Sequence, residues 1–64
     1  MTDRIKGTDL VSAQYKASAI SESMSVAYWL EASGVDAGYH VDAAVTRLHE
    51  LAKLFGFDLV ERAA

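Results

Sequence analysis

The stretch that decides the fold is Leu10–Leu30, LVSAQYKASAISESMSVAYWL, which has helical periodicity with apolar residues on two sides. A helix advances about 100° per residue, so residues three and four apart share a face. One stripe of this helix comprises Leu10, Ala13, Ala17, Ile20, Met24, Ala27 and Tyr28. A second stripe, roughly opposite, comprises Val11, Tyr15, Ala19, Val26, Trp29 and Leu30. A helix of this kind needs two partners to pack against.

The charge of the same stretch supports a central position in an assembly. Only Lys16 and Glu22 are charged between Leu10 and Leu30, and serines occupy the seams between the stripes. A helix that faces water normally carries many more charges. We therefore expect both stripes to be covered.

The second helix has only one apolar side. Its apolar residues fall within one arc of about 120°, and they are Val41, Ala44, Val45, Leu48, Leu51, Ala52 and Phe55. The opposite side is polar and is expected to face water. This helix can therefore cover one stripe of the first helix and leaves the other without a partner in the chain.

Glycines mark the ends of the helices in a chain that has no proline. Gly34 and Gly56 are placed to adopt the left-handed conformation that terminates helices. Thr8 or Asp9 is the expected N-cap of the first helix, and Asp36 that of the second. The predicted helices span about residues 9–33 and 37–55.

These elements predict an all-α fold, an antiparallel helical hairpin within one small domain, residues 1–64. Residues 1–7 are expected to be a flexible head. The tail, residues 57–64, alternates apolar and polar only briefly, so three conformations stay open: a short strand, an extended arm packed on the hairpin, or one more helical turn.

A hairpin of this size has too little core to order 64 residues alone, so we expect a homodimer or higher homo-oligomer, most simply a four-helix bundle. The predicted hairpin core is Leu10, Ala13, Ala17, Ile20, Met24, Val41, Val45, Leu48, Leu51, Ala52 and Phe55. The predicted interface, to a second copy or a partner, is Val11, Tyr15, Ala19, Val26, Trp29 and Leu30. The alternative is that Tyr15, Val26 and Trp29 are scattered surface apolars, which monomers also have.

No catalytic, cofactor or metal site is predicted. The chain has no cysteine, which excludes disulfides and thiolate ligands. His49-Glu50 begins the helical zinc motif His-Glu-x-x-His, but Lys53 occupies the position of the second histidine. We expect His40 and His49 to be surface or hinge residues.

Membrane insertion is disfavoured, because each charge of Leu10–Leu30 near mid-bilayer would cost about 2 to 3 kcal/mol. The N-terminal residues lack the pattern of a secretory signal, and we expect a cytoplasmic protein.

Three functions remain. The favoured one is a non-enzymatic interaction protein that self-associates and binds or modulates another protein, as adaptors, antitoxins and phage-encoded inhibitors do, with the second stripe as its interface. Another is a small nucleic-acid-associated regulator acting through Arg4, Lys6 and Arg47, which the scattered basic residues disfavour. The last is an enzyme or ligand carrier with a pocket between paired hairpins, formed by Tyr28, Tyr39 or His40.

Overall fold

In the computed structural model, residues 5–62 are described, and they form two α-helices. Helix α1 spans Gly7–Ala32 and helix α2 spans Gly38–Leu54, with a short link between them. An ion pair of 3.1 Å joins Lys16 Nζ, in the first half of α1, to Glu50 Oε1, near the end of α2. The helices therefore run antiparallel, and the predicted all-α hairpin is confirmed for this part of the chain.

Both helices end as the glycines predict. At the end of α1, the N–H of Val35 donates to the carbonyl of Leu30 at 2.8 Å, and that of Gly34 to Glu31 at 3.0 Å. This is the Schellman pattern, and Gly34 has the required positive φ of 75°. The same two bonds recur at Gly56, whose φ is 88°.

The starts of the helices differ from the prediction. Thr8 or Asp9 as N-cap of α1 is wrong, because the carbonyl of Lys6 already accepts from the N–H groups of Asp9 and Leu10. Gly7, with φ of 32°, lets the chain enter the helix there. In α2 the N-cap position is Ala37, but Asp36 still serves the first turn, since its Oδ1 accepts from the Gly38 N–H at 3.0 Å.

The tail is neither strand nor helix over its described part, residues 57–62. An arm that packs on the hairpin stays a prediction. Of the predicted head, residues 1–4 lie outside the described residues, as Ala63 and Ala64 of the tail do.

The helices meet along a line of residues that we call the contact seam. In α1 its members are buried or half-buried and recur at alternating intervals of three and four: Ala13, Lys16, Ile20, Ser23, Ala27 and Leu30. In α2 the same spacing gives Ala37, His40, Ala44, Leu51 and Leu54, with the exposed Arg47 completing the series. Such spacing is typical of two helices that pack nearly antiparallel.

The hairpin is one helix layer thick. Among its described residues, four alanines are buried: Ala13, Ala27, Ala37 and Ala44. The molecule extends 44 × 28 × 16 Å and has a radius of gyration of 13.9 Å, against about 11 Å for a compact chain of this length. Domains are generally built of two layers around one core, so this hairpin leaves much of its apolar surface uncovered.

Candidate functional site

The contact seam runs between the two apolar stripes of α1 rather than along one of them. It takes Ala13, Ile20 and Ala27 from the edge of one stripe and Leu30 from the edge of the other. Lys16 and Ser23 lie between these edges. Most of each stripe therefore flanks the seam and remains exposed to solvent.

The sides of the hairpin can be identified from helix geometry. Both helices are right-handed and run in opposite directions, so one step along either chain from a seam residue turns toward the same side of the pair. On α1 this side presents Ala17, Met24 and Tyr28. On α2 it presents Val41, Val45, Leu48, Ala52 and Phe55.

We call these residues, together with Leu10 one turn before Ala13, the apolar face. Met24 is 50% exposed, and Leu10, Tyr28, Val41, Val45 and Leu48 are also exposed. Its side chains come from both helices. The single chain thus exposes an apolar surface two helices wide.

The residues one position before each seam residue lie on the opposite side of the hairpin, which we call the mixed face. On α1 it carries Tyr15, Ala19, Glu22, Val26 and Trp29. On the other helix it carries Asp36, just before α2, and Tyr39, Ala43, Thr46, Glu50 and Lys53 within α2. Val11 lies one turn from Tyr15 and faces away from α2. Apolar and aromatic side chains here alternate with charges, which is the composition of a non-obligate interface.

Aromatic side chains concentrate near the turn of the hairpin. The Tyr28 and Trp29 rings make an edge-to-face contact at 5.3 Å, and the Tyr39 and His40 rings another at 5.2 Å. Tyr39 is 80% exposed and Trp29 is 66% exposed. Exposed Trp and Tyr side chains are the commonest anchors of protein interfaces.

A cleft of about 480 Å³ lies between α2 and the tail. Val45, Leu48 and His49 line it from the helix, and residues 59–61 line it from the tail. Leu59 and Val60 are exposed apolar residues beside Val45 and Leu48. The tail therefore extends the apolar face at its α2 edge.

The mixed face is held together by charge. Lys16 extends from the seam to Glu50, and Arg47 Nη1 lies 3.4 Å from the same Glu50 oxygen. The hydrogen bond from Lys16, with the charges of Lys16 and Arg47, holds the pKa of Glu50 below its usual value. Partial desolvation opposes this shift but does not cancel it.

No family model, curated protein or solved structure matches this chain.

The residues predicted for the hairpin core are divided by the structure. Ala13 and the half-buried Ile20 and Leu51 lie in the seam. The others lie on the apolar face beside it: Leu10, Ala17, Met24, Val41, Val45, Leu48, Ala52 and Phe55. The difference arises because α1 turns the line that contains Lys16 and Ser23 toward α2, a choice that apolar periodicity does not reveal.

The residues predicted for the interface are divided as well. Val11, Tyr15, Val26 and Trp29 are exposed, and we call these four the outer stripe. Ala19 and Leu30 are half-buried at the side of α1 that meets α2. The sequence alone suggests Tyr39 only as a ligand contact. That Tyr39 lies on the same side of the hairpin as Trp29 becomes clear only from the way the two helices pair.

The residues of the other two hypotheses are not brought together into one site. Arg4 lies outside the described residues, and Arg47 is paired with Glu50. Tyr28 and Tyr39 lie on opposite sides of the hairpin. Two cavities of the described residues are lined by other side chains: the cleft beside the tail, and a pocket on α1 alone formed by Val11, Gln14, Tyr15 and Ser18. Over residues 5–62, no helix has the length and apolarity that crossing a membrane requires. The same residues contain no group of three or more acidic or histidine side chains suited to a metal ion.

Proposed function

We propose that this chain is a non-enzymatic helical interaction protein that self-associates and binds or modulates another protein. The observation that carries the proposal is the large solvent-accessible surface area of the single chain. The chain exposes 5287 Å², whereas a folded monomer of 6.9 kDa exposes about 4,000 Å². The surplus of about 1,300 Å² exceeds the roughly 800 Å² that each partner contributes to a standard interface.

The chemistry of that area supports association. In the described chain no side chain larger than alanine is buried. Burying apolar surface contributes about 25 cal/mol per Å², so a second layer would stabilise the hairpin strongly. Two hairpins stacked face to face form a four-helix bundle, the arrangement that we propose for the dimer.

The outer stripe supports the proposal that the chain binds another protein. Tyr15 and Trp29 offer large, exposed aromatic surfaces, with Val11 and Val26 beside them. Charged neighbours such as Glu22 and Lys53 provide the polar rim that transient interfaces have. The function is thus of the adaptor, antitoxin or inhibitor class, in which a small helical protein acts by occupying another protein.

Sedimentation equilibrium of the full chain tests self-association. We expect a dimer over about 1 to 100 µM, with a dissociation constant in the micromolar range or tighter. Circular dichroism on the same samples reports whether the chain is folded. A helical monomer throughout this range would contradict the proposal.

Affinity capture from an extract of the native host tests partner binding. We expect the wild-type chain to retain a specific protein that Trp29→Ala loses, because Trp29 is the largest exposed anchor on the outer stripe. Asp42→Ala, which changes an exposed residue on the side of α2 that points away from α1, is the control. Capture that is insensitive to Trp29→Ala would remove the outer stripe from the proposal.

A further inference from the structure

We infer that the apolar face is covered by a second copy of this chain, which leaves the mixed face outside the dimer. The inference rests on the proposed self-association and deepens it, because it states which side of the hairpin pairs. The outer stripe then remains available to a different partner while the dimer is intact.

The first argument is charge. On the side of the apolar face, the positions one step after the seam carry no charged residue along the paired parts of the helices. The one charged residue in this series, Glu31, lies at the end of α1 next to the turn. The mixed face carries Glu22 in α1 and Glu50 and Lys53 in α2, all within the paired helices. Burying charges without new partners is costly, whereas the residues that the two helices give to the apolar face are uncharged. Pairing through the apolar face is therefore favoured.

The second argument is width. The apolar face takes side chains from both helices, among them Met24 of α1 and Leu48 of α2. On the mixed face, most of the large exposed apolar side chains come from α1, and α2 adds Tyr39 among charged and small residues. A surface two helices wide can supply the roughly 800 Å² per partner that a stable interface needs, and a one-helix stripe supplies less.

The third argument identifies the occupant as a second copy. A hairpin with one layer exposes its apolar face whenever it folds. The molecule that covers this face must therefore be present whenever the chain is, at an equal concentration. A second copy meets this condition, and a two-fold axis lets one face serve both partners. On this side of α1, the small residues Ala17 and Ser21 precede the larger Met24 and Tyr28. A two-fold axis can place the small half of one copy against the large half of the other, so that the two faces interdigitate.

A matched pair of substitutions tests the inference. Met24 and Val26 are 50% and 42% exposed in the single chain and lie on opposite sides of it. We expect Met24→Glu to raise the dimer dissociation constant at least about 100-fold, because the charge would be buried in the interface. Val26→Glu is expected to change it less than about threefold. Sedimentation equilibrium of the full chain measures both.

The outcomes separate the two proposals. A wild-type chain that is monomeric at every concentration contradicts the proposed function itself. A wild-type dimer that Val26→Glu dissociates, or that Met24→Glu leaves intact, overturns only the assignment to the apolar face.

A second measurement keeps the inference testable if Met24→Glu fails to fold. The chain has no cysteine, so Met24→Cys and Val26→Cys each introduce one reporter thiol. Above the dimer dissociation constant we expect alkylation of Met24→Cys to be about tenfold slower than that of Val26→Cys, with equal rates after dilution to monomer. Protection of Val26→Cys, or equal rates in the dimer, would refute the inference.

Discussion

At the scale of single residues, two glycines and one glutamate do most to shape the hairpin. Gly34 and Gly56 end their helices with positive φ, and neither has a neighbouring atom within 4 Å of the place where a Cβ would be. Their requirement is therefore conformational rather than steric. Glu50 gathers Lys16 and Arg47 on the mixed face and so links the two helices.

Gly34→Ala is expected to destabilise the protein by about 1 kcal/mol, because alanine is strained at a φ of 75°. Gly34→Asn should cost less, since asparagine tolerates the left-handed region. Urea denaturation of the three proteins at one concentration measures the differences. Equal stability of the alanine and wild-type chains would show that the left-handed cap is not needed.

Glu50→Gln tests the ion pair through its pH dependence. The folded-state pKa of Glu50 is lowered, so its ionised form stabilises the fold above the unfolded-state pKa of about 4.3. That contribution is lost as the pH falls through the lower, folded-state pKa. We expect the wild type to melt higher than Glu50→Gln at pH 7, with the gap closing toward pH 3. Glu22→Gln, which removes a charge from an exposed position of α1, controls for net charge.

At the scale of the helices, alanines determine how α1 and α2 meet. Ala27 and Ala44 are 4% and 5% exposed, the most buried residues of their helices. Small residues at a helix contact allow the backbones to approach closely, but they bury little area. The pairing of α1 with α2 therefore specifies geometry more than it supplies stability.

Ala44→Leu is expected to destabilise the hairpin by about 1 to 3 kcal/mol, because the seam has no space for the larger side chain. Ala32→Leu makes the same change at an exposed position of α1 and should be nearly neutral. Thermal melts followed by circular dichroism compare the two. A stabilising Ala44→Leu would mean that the helices can separate at no cost.

At the scale of the whole molecule, the hairpin is a single layer of helices, and residues 5–62 supply no second layer to cover it. This explains why an ordinary globular composition, 52% hydrophobic and 23% charged, gives so few buried residues. In the proposed dimer, folding and association are one process, as they are in obligate dimers.

The melting temperature is accordingly expected to rise by several degrees for each tenfold increase in protein concentration. Calorimetry from about 10 to 1,000 µM measures this shift. A melting temperature independent of concentration would show that the hairpin is stable as a monomer.

Much of the fold was predictable from local features. The helix ends follow from glycines, because the left-handed conformation that ends a helix depends on a single residue. The number of helices follows from the periodicity of the apolar residues. The start of α1 was missed because Lys6 contributes only its carbonyl, and the side chain of an N-cap is the signal that a sequence reveals. The two stripes of α1 were also evident, since a helical wheel needs no tertiary information.

Helical periodicity and the placement of the glycines are enough to predict a helical hairpin with more apolar surface than it can bury. How that surface is divided depends on the way the two helices pair. The reason is rotational: a helix with two apolar stripes can turn either stripe, or the seam between them, toward its neighbour, and local periodicity is the same in each case. The fit of the alanines and the reach of Lys16 to Glu50 favour the seam. This choice places one stripe beside the apolar arc of α2 and leaves the other on the opposite side.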